Sequence, residues 1–139
     1  MSTLRVEVVS PERVLFSGDA RQVITRTVDG GEIAFLPGHA AFLGALVENH
    51  TRIYMSDGRV QDLAVHGGFV EVAPDHVTIL SDAAELSGEI DVERAHRALQ
   101  RAEEAMRGEH DATAESALRR AHVRLAAAGG IAENRAVAL

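Results

Sequence analysis

The hydrophobic periodicity of this 139-residue chain changes once, near residue 88. Before that point, apolar residues form short alternating or continuous β-branched runs, and turn residues separate the runs. Such a pattern is typical of an all-β sandwich or barrel. After Gly88 the apolar residues recur at spacings of three and four, which predicts helices. We therefore predict an α+β chain in which a β-domain precedes a helical segment.

The predicted strands follow the alternation of the first part, and turn chemistry marks their ends. Asp57-Gly58 is the clearest hairpin turn, because Asp-Gly readily takes the positive φ angles of a tight primed turn. The runs predicted as strands are Arg5–Val9, Val14–Ser17, Ala20–Thr27, Glu32–Leu36, Phe42–Leu46, Thr51–Met55, Arg59–Val65, Gly68–Ala73 and His76–Leu80.

Two helices are predicted after Gly88. Asp91 is the expected N-cap of the first, since its carboxylate can accept hydrogen bonds from the free N–H groups of the first turn. Gly129-Gly130 is expected to end the second. The short joint and the matching apolar stripes predict an antiparallel hairpin. The two stripes are Val92, Ala95, Leu99, Ala102 and Met106, and Ala114, Leu118, Ala121, Leu125 and Ala128.

The seam between these helices is thin, because alanines outnumber large side chains. A buried Leu or Met contributes about 1.5–3 kcal/mol, whereas ordering the backbone costs about 1–2 kcal/mol per residue. We expect the hairpin to need a docking partner, and we hypothesise that it switches between arrangements. Uniformly slow amide exchange through residues 91–128 of the isolated protein would contradict that hypothesis.

Charge and composition exclude several classes of protein. A net charge of -7 argues against a nucleic-acid binder, for which a basic field is expected. The absence of cysteine excludes disulfides, thiol nucleophiles and thiolate metal sites. The N-terminus lacks the pattern of a signal peptide, and no apolar run approaches the roughly 18–20 residues that span a bilayer. We expect a soluble, cytoplasmic protein.

No catalytic residue and no metal site is predicted. The seven histidines are scattered, without a His-x-His pair or an i,i+4 pair on one helix face. No serine lies in a G-x-S-x-G elbow. The glycine-rich stretches DGGE and HGGF lack the following helix and the Lys-Ser/Thr of a phosphate loop.

Three features leave alternatives open. LPGHAAFLGAL and VHGGFVEV are unusual for a simple sandwich, and a tight bend, a bulge or a close backbone approach would explain them. Arg94, Arg97 and Arg101 share one helix face, and Arg120 and Arg124 are one turn apart. Those arginines form either a solvated charged face or a surface for phosphates or an acidic partner helix.

Four stretches of the chain are distinctive in combination: DGGEIAFLPGHAAFLGAL, HGGFVEVAPDHVTILSDAAE, IDVERA and ALRRAHVRL. Taken together, they strongly resemble the epsilon subunits of F-type ATP synthases, and the match runs from about Val6 to Leu125. The resemblance implies a ten-stranded β-sandwich in residues 1–87, which binds the gamma subunit and the c-ring. It implies a regulatory helical hairpin in residues 88–139, with a flexible tail from about residue 129. The subunit would be a non-catalytic part of the rotating central stalk, peripheral to the cytoplasmic face of a bacterial plasma membrane. The turn containing Glu32, Pro37, Gly38 and His39 would face the c-ring.

The resemblance also implies a regulatory role for the hairpin. Some bacterial members bind ATP through an I/L-D-x-x-R-A motif, which Ile90 to Ala95 matches, and the ligand-facing residues would be Glu85, Asp91, Arg94, Arg101 and Arg124. A further arginine of those members is replaced by Ala128, which predicts weaker binding. No cofactor is required, and ATP would be a regulatory ligand. In an extended state the hairpin would reach the alpha/beta catalytic head and restrain hydrolysis through Arg119, Arg120 and Arg124. The alternative is a free-standing β-sandwich ligand-binding module with a dimerising hairpin.

Overall fold

The fold is a β-domain followed by two helices, as a computed structural model of the chain shows. The structure describes residues 2–108 and 112–138, with side chains as far as residue 129. Its strands are β1 (Leu4–Val9), β2 (Val14–Thr27), β3 (Gly31–Phe35), β4 (Phe42–Met55), β5 (Val60–Ala73), β6 (His76–Leu80) and β7 (Ala84–Leu86). A 3₁₀ turn at Ser87–Glu89 leads into α1 (Val92–Arg107) and then α2 (Ala112–Ala138).

The prediction of ten strands is wrong as a count, because the described residues form seven. Strands β2, β4 and β5 have 14 residues each, and each takes part in two layers. One layer joins β1 and β6 to the first half of β2, the second half of β5 and the first half of β4. The other layer joins β3 and β7 to the remaining halves.

Alternation along β1 shows how the sequence builds the core. Leu4, Val6 and Val8 are fully buried, whereas Arg5 between them is exposed. Phe35, Ile53 and Leu63 fill the same space from the other strands. Since side chains point alternately to opposite faces of a strand, this pattern fixes which face is internal.

The paired glycines Gly67 and Gly68 lie inside β5 with φ of +96° and +123°. A Cβ atom on Gly68 would lie 2.1 Å from the carbonyl oxygen of Leu80. A close backbone approach, one of the predicted explanations for HGGF, is therefore present at Gly68.

The helices pack side by side along alanines. Ala95 and Ala102 of α1 and Ala114 and Ala121 of α2 are buried, as the predicted stripes require. Val92 is 43% exposed, so its predicted place in the seam is wrong. The Asp91 side chain accepts a hydrogen bond from the backbone N–H of Arg94 at 3.1 Å, which confirms the predicted N-cap.

The predicted end of α2 at Gly129-Gly130 is wrong, because α2 continues to Ala138. Glycine weakens a helix interior by about 1 kcal/mol relative to alanine and does not forbid it. Most of the predicted tail after residue 129 lies outside the side chains that the structure describes.

Helix α2 packs on β4 and β5 of the sandwich. A small apolar cluster of Ala64, Ile90 and Ala127 joins the two parts, with Val123 and Ala128 at its margin. Across the described residues, no helix is both long enough and apolar enough to span a bilayer.

Candidate functional site

A cavity of about 310 Å³ lies where the start of α1, strand β7 and helix α2 meet. Each element supplies its residues through local structure. Strand β7 presents Glu85, the N-cap is Asp91, and Arg124 comes from α2. Arg94 and Arg101 are seven residues apart on α1, which is two helical turns, so they share one face. The five residues predicted to face ATP thus line one cavity, with Ala95 and Ala98 between them.

An ionic chain of four side chains crosses from the sandwich to α2 at this cavity. Arg124 Nε donates to Glu85 Oε1 at 2.6 Å, and Nε2 of His66 lies 2.9 Å from the same oxygen. The other ring nitrogen of His66, Nδ1, lies 3.0 Å from Glu48 Oε2. We call Glu48, His66, Glu85 and Arg124 the carboxylate relay. Sequence reasoning found Glu85 and Arg124 but missed His66 and Glu48.

The environment of Glu85 favours its charged form. Partial burial raises the pKa of its carboxyl. Hydrogen bonds from Arg124 and His66, together with the charges of those two groups, lower the pKa by more than burial raises it. The net effect is a pKa below the usual value of a glutamate. Glu85 therefore stays ionised and continues to hold Arg124 under mildly acidic conditions.

Two guanidinium groups of the cavity are available to a ligand. Among the described side chains, neither Arg94 nor Arg101 has a hydrogen-bonding or ionic partner. Arg124 is already engaged by Glu85. Planar guanidinium groups bind phosphate in a bidentate manner, so the pair formed by Arg94 and Arg101 suits an anionic, phosphate-bearing ligand.

Ala128, which stands where the resemblance implies another arginine, does not line this cavity. It packs beside Ala64, Ile90 and Ala127 between α2 and the sandwich. Its small side chain therefore contributes to helix docking and not to the charge of the cavity.

A second cavity of about 370 Å³ continues the first along the seam of the hairpin and shares Ala98, Arg101 and Arg124 with it. Arg120 lines this second cavity. Arg119 is exposed and donates to Ser116 Oγ at 3.1 Å. The three arginines predicted to hold a partner subunit thus differ, since only Arg119 points away from the folded hairpin.

Comparison with known families decides the identity of the fold. The family model "ATP synthase, Delta/Epsilon chain, beta-sandwich domain" matches residues 3–87, and "ATP synthase, Delta/Epsilon chain, long alpha-helix domain" matches residues 89–129. This chain belongs to the ATP synthase delta/epsilon family. It is 40% identical to the ATP synthase epsilon chain of Shouchella clausii, over 90% of this chain and 94% of that one. It is 45% identical to the epsilon chain of Streptomyces avermitilis, over 89% and 94%.

Solved ATP synthase structures share the fold of this delta/epsilon-family chain. A chain of the mitochondrial ATP synthase of Euglena gracilis, in an OSCP/F1/c-ring structure, superposes with a TM-score of 0.75. The two are 22% identical, over 86% of this chain and 77% of that one. A chain from the central stalk and c-ring of the Tetrahymena thermophila enzyme gives 0.51 at 16% identity, over 89% and 92%.

Membership confirms the predicted family and identifies the chain as a non-catalytic subunit of an ATP synthase. The alternative of a free-standing binding module does not agree with it. Among the residues that the structure describes, no group of three or more histidine and acidic side chains could hold a metal ion.

The four residues predicted to face the c-ring of an ATP synthase lie in two places. Pro37, Gly38 and His39 form one turn, in which Gly38 N–H donates to the carbonyl of Pro74 at 2.7 Å. Glu32 lies near the other end of β3, so most of that strand lies between it and this turn. Because a strand rises about 3.3 Å per residue, Glu32 is well separated from the turn. It pairs with Arg52 at 3.1 Å and lines a cavity beside α2.

This epsilon-type sandwich has an exposed apolar groove whose residues the sequence analysis did not predict. Phe69 and Leu80 are opposite one another on β5 and β6 and are 55% and 47% exposed. With Val9, Pro11 and Gly68 they line a groove of about 350 Å³. We call this surface the Phe69 groove.

Proposed function

We propose that this chain is the central-stalk epsilon subunit of a proton-translocating F-type ATP synthase. It couples the alpha/beta catalytic head to rotation of the c-ring and restrains ATP hydrolysis through its C-terminal helices. The observation that carries the proposal is the cavity at the junction of sandwich and hairpin, where Glu85, Asp91, Arg94, Arg101 and Arg124 converge. The complex is proposed to lie at the bacterial plasma membrane, with this subunit peripheral on the cytoplasmic face.

The Phe69 groove is the proposed contact with the gamma subunit. Large apolar side chains that are half exposed and adjacent gain free energy when a partner covers them, about 25 cal/mol per Å². We expect Phe69→Ser with Leu80→Ser to weaken the binding of purified gamma at least tenfold in surface plasmon resonance. Val28→Ser is the matched control, since Val28 is 58% exposed but lies in the turn between β2 and β3. Equal affinity of the double variant and the control would contradict this contact.

The Pro37-Gly38-His39 turn is the proposed contact with polar loops of the c-ring. Cross-linking tests it: a cysteine at His39 should join to the c subunit in the assembled enzyme. Because Glu32 pairs with Arg52 near α2, a cysteine at Glu32 tests whether that residue shares the same surface.

The cavity is the proposed site of a regulatory ATP molecule. Arg94 and Arg101 offer two unpartnered cations, and a volume of about 310 Å³ is at the lower end of the ligand pockets in proteins, roughly 300–1,000 Å³. A bound phosphate that touched both helices and β7 would stabilise the folded hairpin.

Isothermal titration of ATP into the full chain, with and without Mg²⁺, tests this site. A charge-assisted hydrogen bond contributes about 1.5–3 kcal/mol, so Arg101→Gln should weaken binding roughly tenfold or more. Arg97→Gln on the same helix is the control, because Arg97 is exposed and does not line the cavity. Absence of heat with the unmodified chain at millimolar ATP would refute the site.

Restraint of hydrolysis is proposed to rest on Arg119, Arg120 and Arg124 in the extended hairpin. Arg120 and Arg124 line cavities of the folded hairpin and become available when the helices part. Replacing all three by Ala should raise ATP hydrolysis by the assembled enzyme. Since Arg124 also binds Glu85, the double variant Arg119→Ala, Arg120→Ala separates the partner contact from helix docking. Unchanged hydrolysis in both variants would contradict the restraint.

A further inference from the structure

A third cavity, of about 370 Å³, lies beside α2 on the side away from Arg124. Its walls are formed by residues of β2, β3 and β4 and by His122, Val123 and Ala126 of α2. His122 and Arg124 are two residues apart, which is about 200° around a helix axis, so they project to opposite sides of α2. A molecule in the third cavity therefore contacts α2 without entering the first cavity.

Arg52 has an incomplete set of hydrogen bonds at the third cavity. Its Nη2 lies 3.1 Å from Glu32 Oε1, whereas its Nε is buried and has no hydrogen-bond acceptor among the described residues. Buried donors in proteins are nearly always paired. An arginine side chain binds an oxyanion best through two parallel N–H groups, and Glu32 engages only one of them. Arg52 therefore lacks a second oxygen, which a different oxyanion can supply.

Arg26 brings a second guanidinium group to the same cavity. It lies opposite Glu32 in the pairing of β2 with β3, and Arg52 lies opposite Ile24, two residues earlier on β2. Residues two apart on a strand project to the same face, so both guanidinium groups belong to the face that α2 covers in part. Arg26 has no hydrogen-bonding or ionic partner in the described part of the chain. Its charge is therefore available to a ligand.

Two carboxylates line the third cavity within the described part of the chain, and both already have partners. Glu48 is bound to His66 Nδ1 at 3.0 Å. Glu32 is bound to Arg52, but its side chain is 53% exposed, and such a surface ion pair contributes little. Glu32 can therefore turn into water when a better acceptor enters the cavity.

We propose that the third cavity binds a small phosphate-type oxyanion, which displaces Glu32 from Arg52 and joins α2 to the sandwich. Arg52 and Arg26 donate to it from the sandwich, and His122 donates from α2, which a neutral imidazole can do from one nitrogen. The volume lies within the usual range of ligand pockets, roughly 300–1,000 Å³. The inference does not require ATP to bind in the first cavity, so the two sites can fail separately.

The test is a titration of inorganic phosphate into the full chain, followed by nuclear magnetic resonance of the backbone amides. We expect millimolar phosphate to shift the amide signals of Arg26, Arg52 and His122, and sodium chloride of equal ionic strength to leave them in place. Arg52→Gln should weaken this binding by at least about tenfold. Arg21→Gln is the matched control, because Arg21 is exposed on β2 and does not line the cavity.

Phosphate that enters the first cavity is recognised by a separate variant. Arg101→Gln should remove any shifts along the start of α1 and leave those of the third cavity unchanged. Hydrogen exchange of the α2 amides near His122 should slow when phosphate is added to the unmodified chain, but not to Arg52→Gln. Exchange that phosphate leaves unchanged would contradict the proposed joining of α2 to the sandwich.

Glu32→Gln distinguishes a ligand site from a structural ion pair. Because the substitution removes the carboxylate that competes for Arg52, we expect it to strengthen phosphate binding several-fold. A purely structural pair predicts the opposite, since its loss would loosen the cavity. The inference is overturned by weaker binding to Glu32→Gln, by shifts that survive Arg52→Gln, or by shifts that sodium chloride reproduces. Absence of any shift at the third cavity would overturn it as well.

Discussion

At the scale of single residues, Glu85 is the side chain on which most contacts of the candidate site depend. It accepts hydrogen bonds from Arg124 and His66 through one oxygen, and it lines the cavity with Arg94 and Arg101. Its carboxyl has a lowered pKa despite partial burial, because those two donors outweigh desolvation. Glu85 thus joins a sandwich strand to a helix of the hairpin through charge.

The lowered pKa of Glu85 predicts a pH dependence of stability. A carboxyl whose pKa is lower in the folded than in the unfolded chain stabilises the fold when it is ionised. This stabilisation is fully present above the pKa of the unfolded chain, about 4.3, and is lost as the pH falls through the pKa of the folded chain. Glu85→Gln should lower the free energy of unfolding by about 1 kcal/mol at neutral pH. It should also reduce the loss of stability below about pH 4. Urea denaturation at several pH values measures both effects, and parallel pH profiles for the two chains would contradict the role of Glu85.

Gly68 is the backbone position where a side chain is least tolerated. Its φ of +123° is rare for other residues, and a Cβ would meet the Leu80 carbonyl at 2.1 Å. Gly68→Ala should therefore destabilise the chain by roughly 2–4 kcal/mol. Gly58→Ala is the control, since Gly58 has a positive φ but open space around it. Thermal unfolding that ranks Gly58→Ala as the more damaging change would refute the close approach at Gly68.

The separation of two residues along the chain decides whether the sequence alone can predict that they lie together. Asp91 and Arg94 belong to one helix start, so their spacing alone predicts that they lie together. His66 and Glu48 are a cross-strand pair whose register is set by the whole of β4 and β5. Nothing local to either residue indicates that pairing, because register depends on the alternation of both strands and on the bends between them.

At the scale of elements, three long strands explain why the predicted strands were too many and too short. The prediction broke β2, β4 and β5 at Gly18-Asp19, at residues 47–50 and at His66-Gly67, where polar residues or glycine interrupt the alternation. In the structure the strands continue through these points and pass from one layer to the other. A strand that changes layer must bend and twist, and glycine and register shifts supply that bend.

Helix α2 has its weakest backbone at Gly129 and Gly130, since it runs through both. Each glycine costs about 1 kcal/mol relative to alanine in a helix interior. Gly130→Ala should therefore raise the helix content of the full chain, measured by circular dichroism at 222 nm (a wavelength at which helices dominate). Ala126→Gly should lower it by a similar amount. An unchanged spectrum for both variants would mean that the helix does not extend past Gly129 in solution.

At the scale of the whole molecule, the sandwich has its own core, whereas the described part of the hairpin has none. Fully buried large side chains such as Phe35, Ile53 and Leu63 all lie in the sandwich, whereas the described part of the hairpin buries mainly alanines. The sequence predicted this division from its one change of periodicity. It could not predict the docked position of α2, which depends on a few contacts between distant residues such as Ala64 and Ala127.

A chain cut after Ile90 should fold without the hairpin. It retains β7 and the ion pair between Arg13 and Glu89. It loses the shallow apolar contact with α2 and the ion pair between Glu85 and Arg124. We expect a cooperative thermal transition and a β-type circular dichroism spectrum, with a melting temperature no more than about 5–10 °C lower than that of the full chain. A chain that is unfolded at 25 °C would show instead that the helices are part of the folding unit.

The three strands that run through both layers have a mechanical consequence. In many sandwiches a load on one sheet reaches the other only through side-chain contacts, which can slide. Here β2, β4 and β5 carry it along the covalent backbone, at three separate points around the domain. For a part proposed to sit in a rotating shaft, torque applied to one layer turns the other with it, without slip between them.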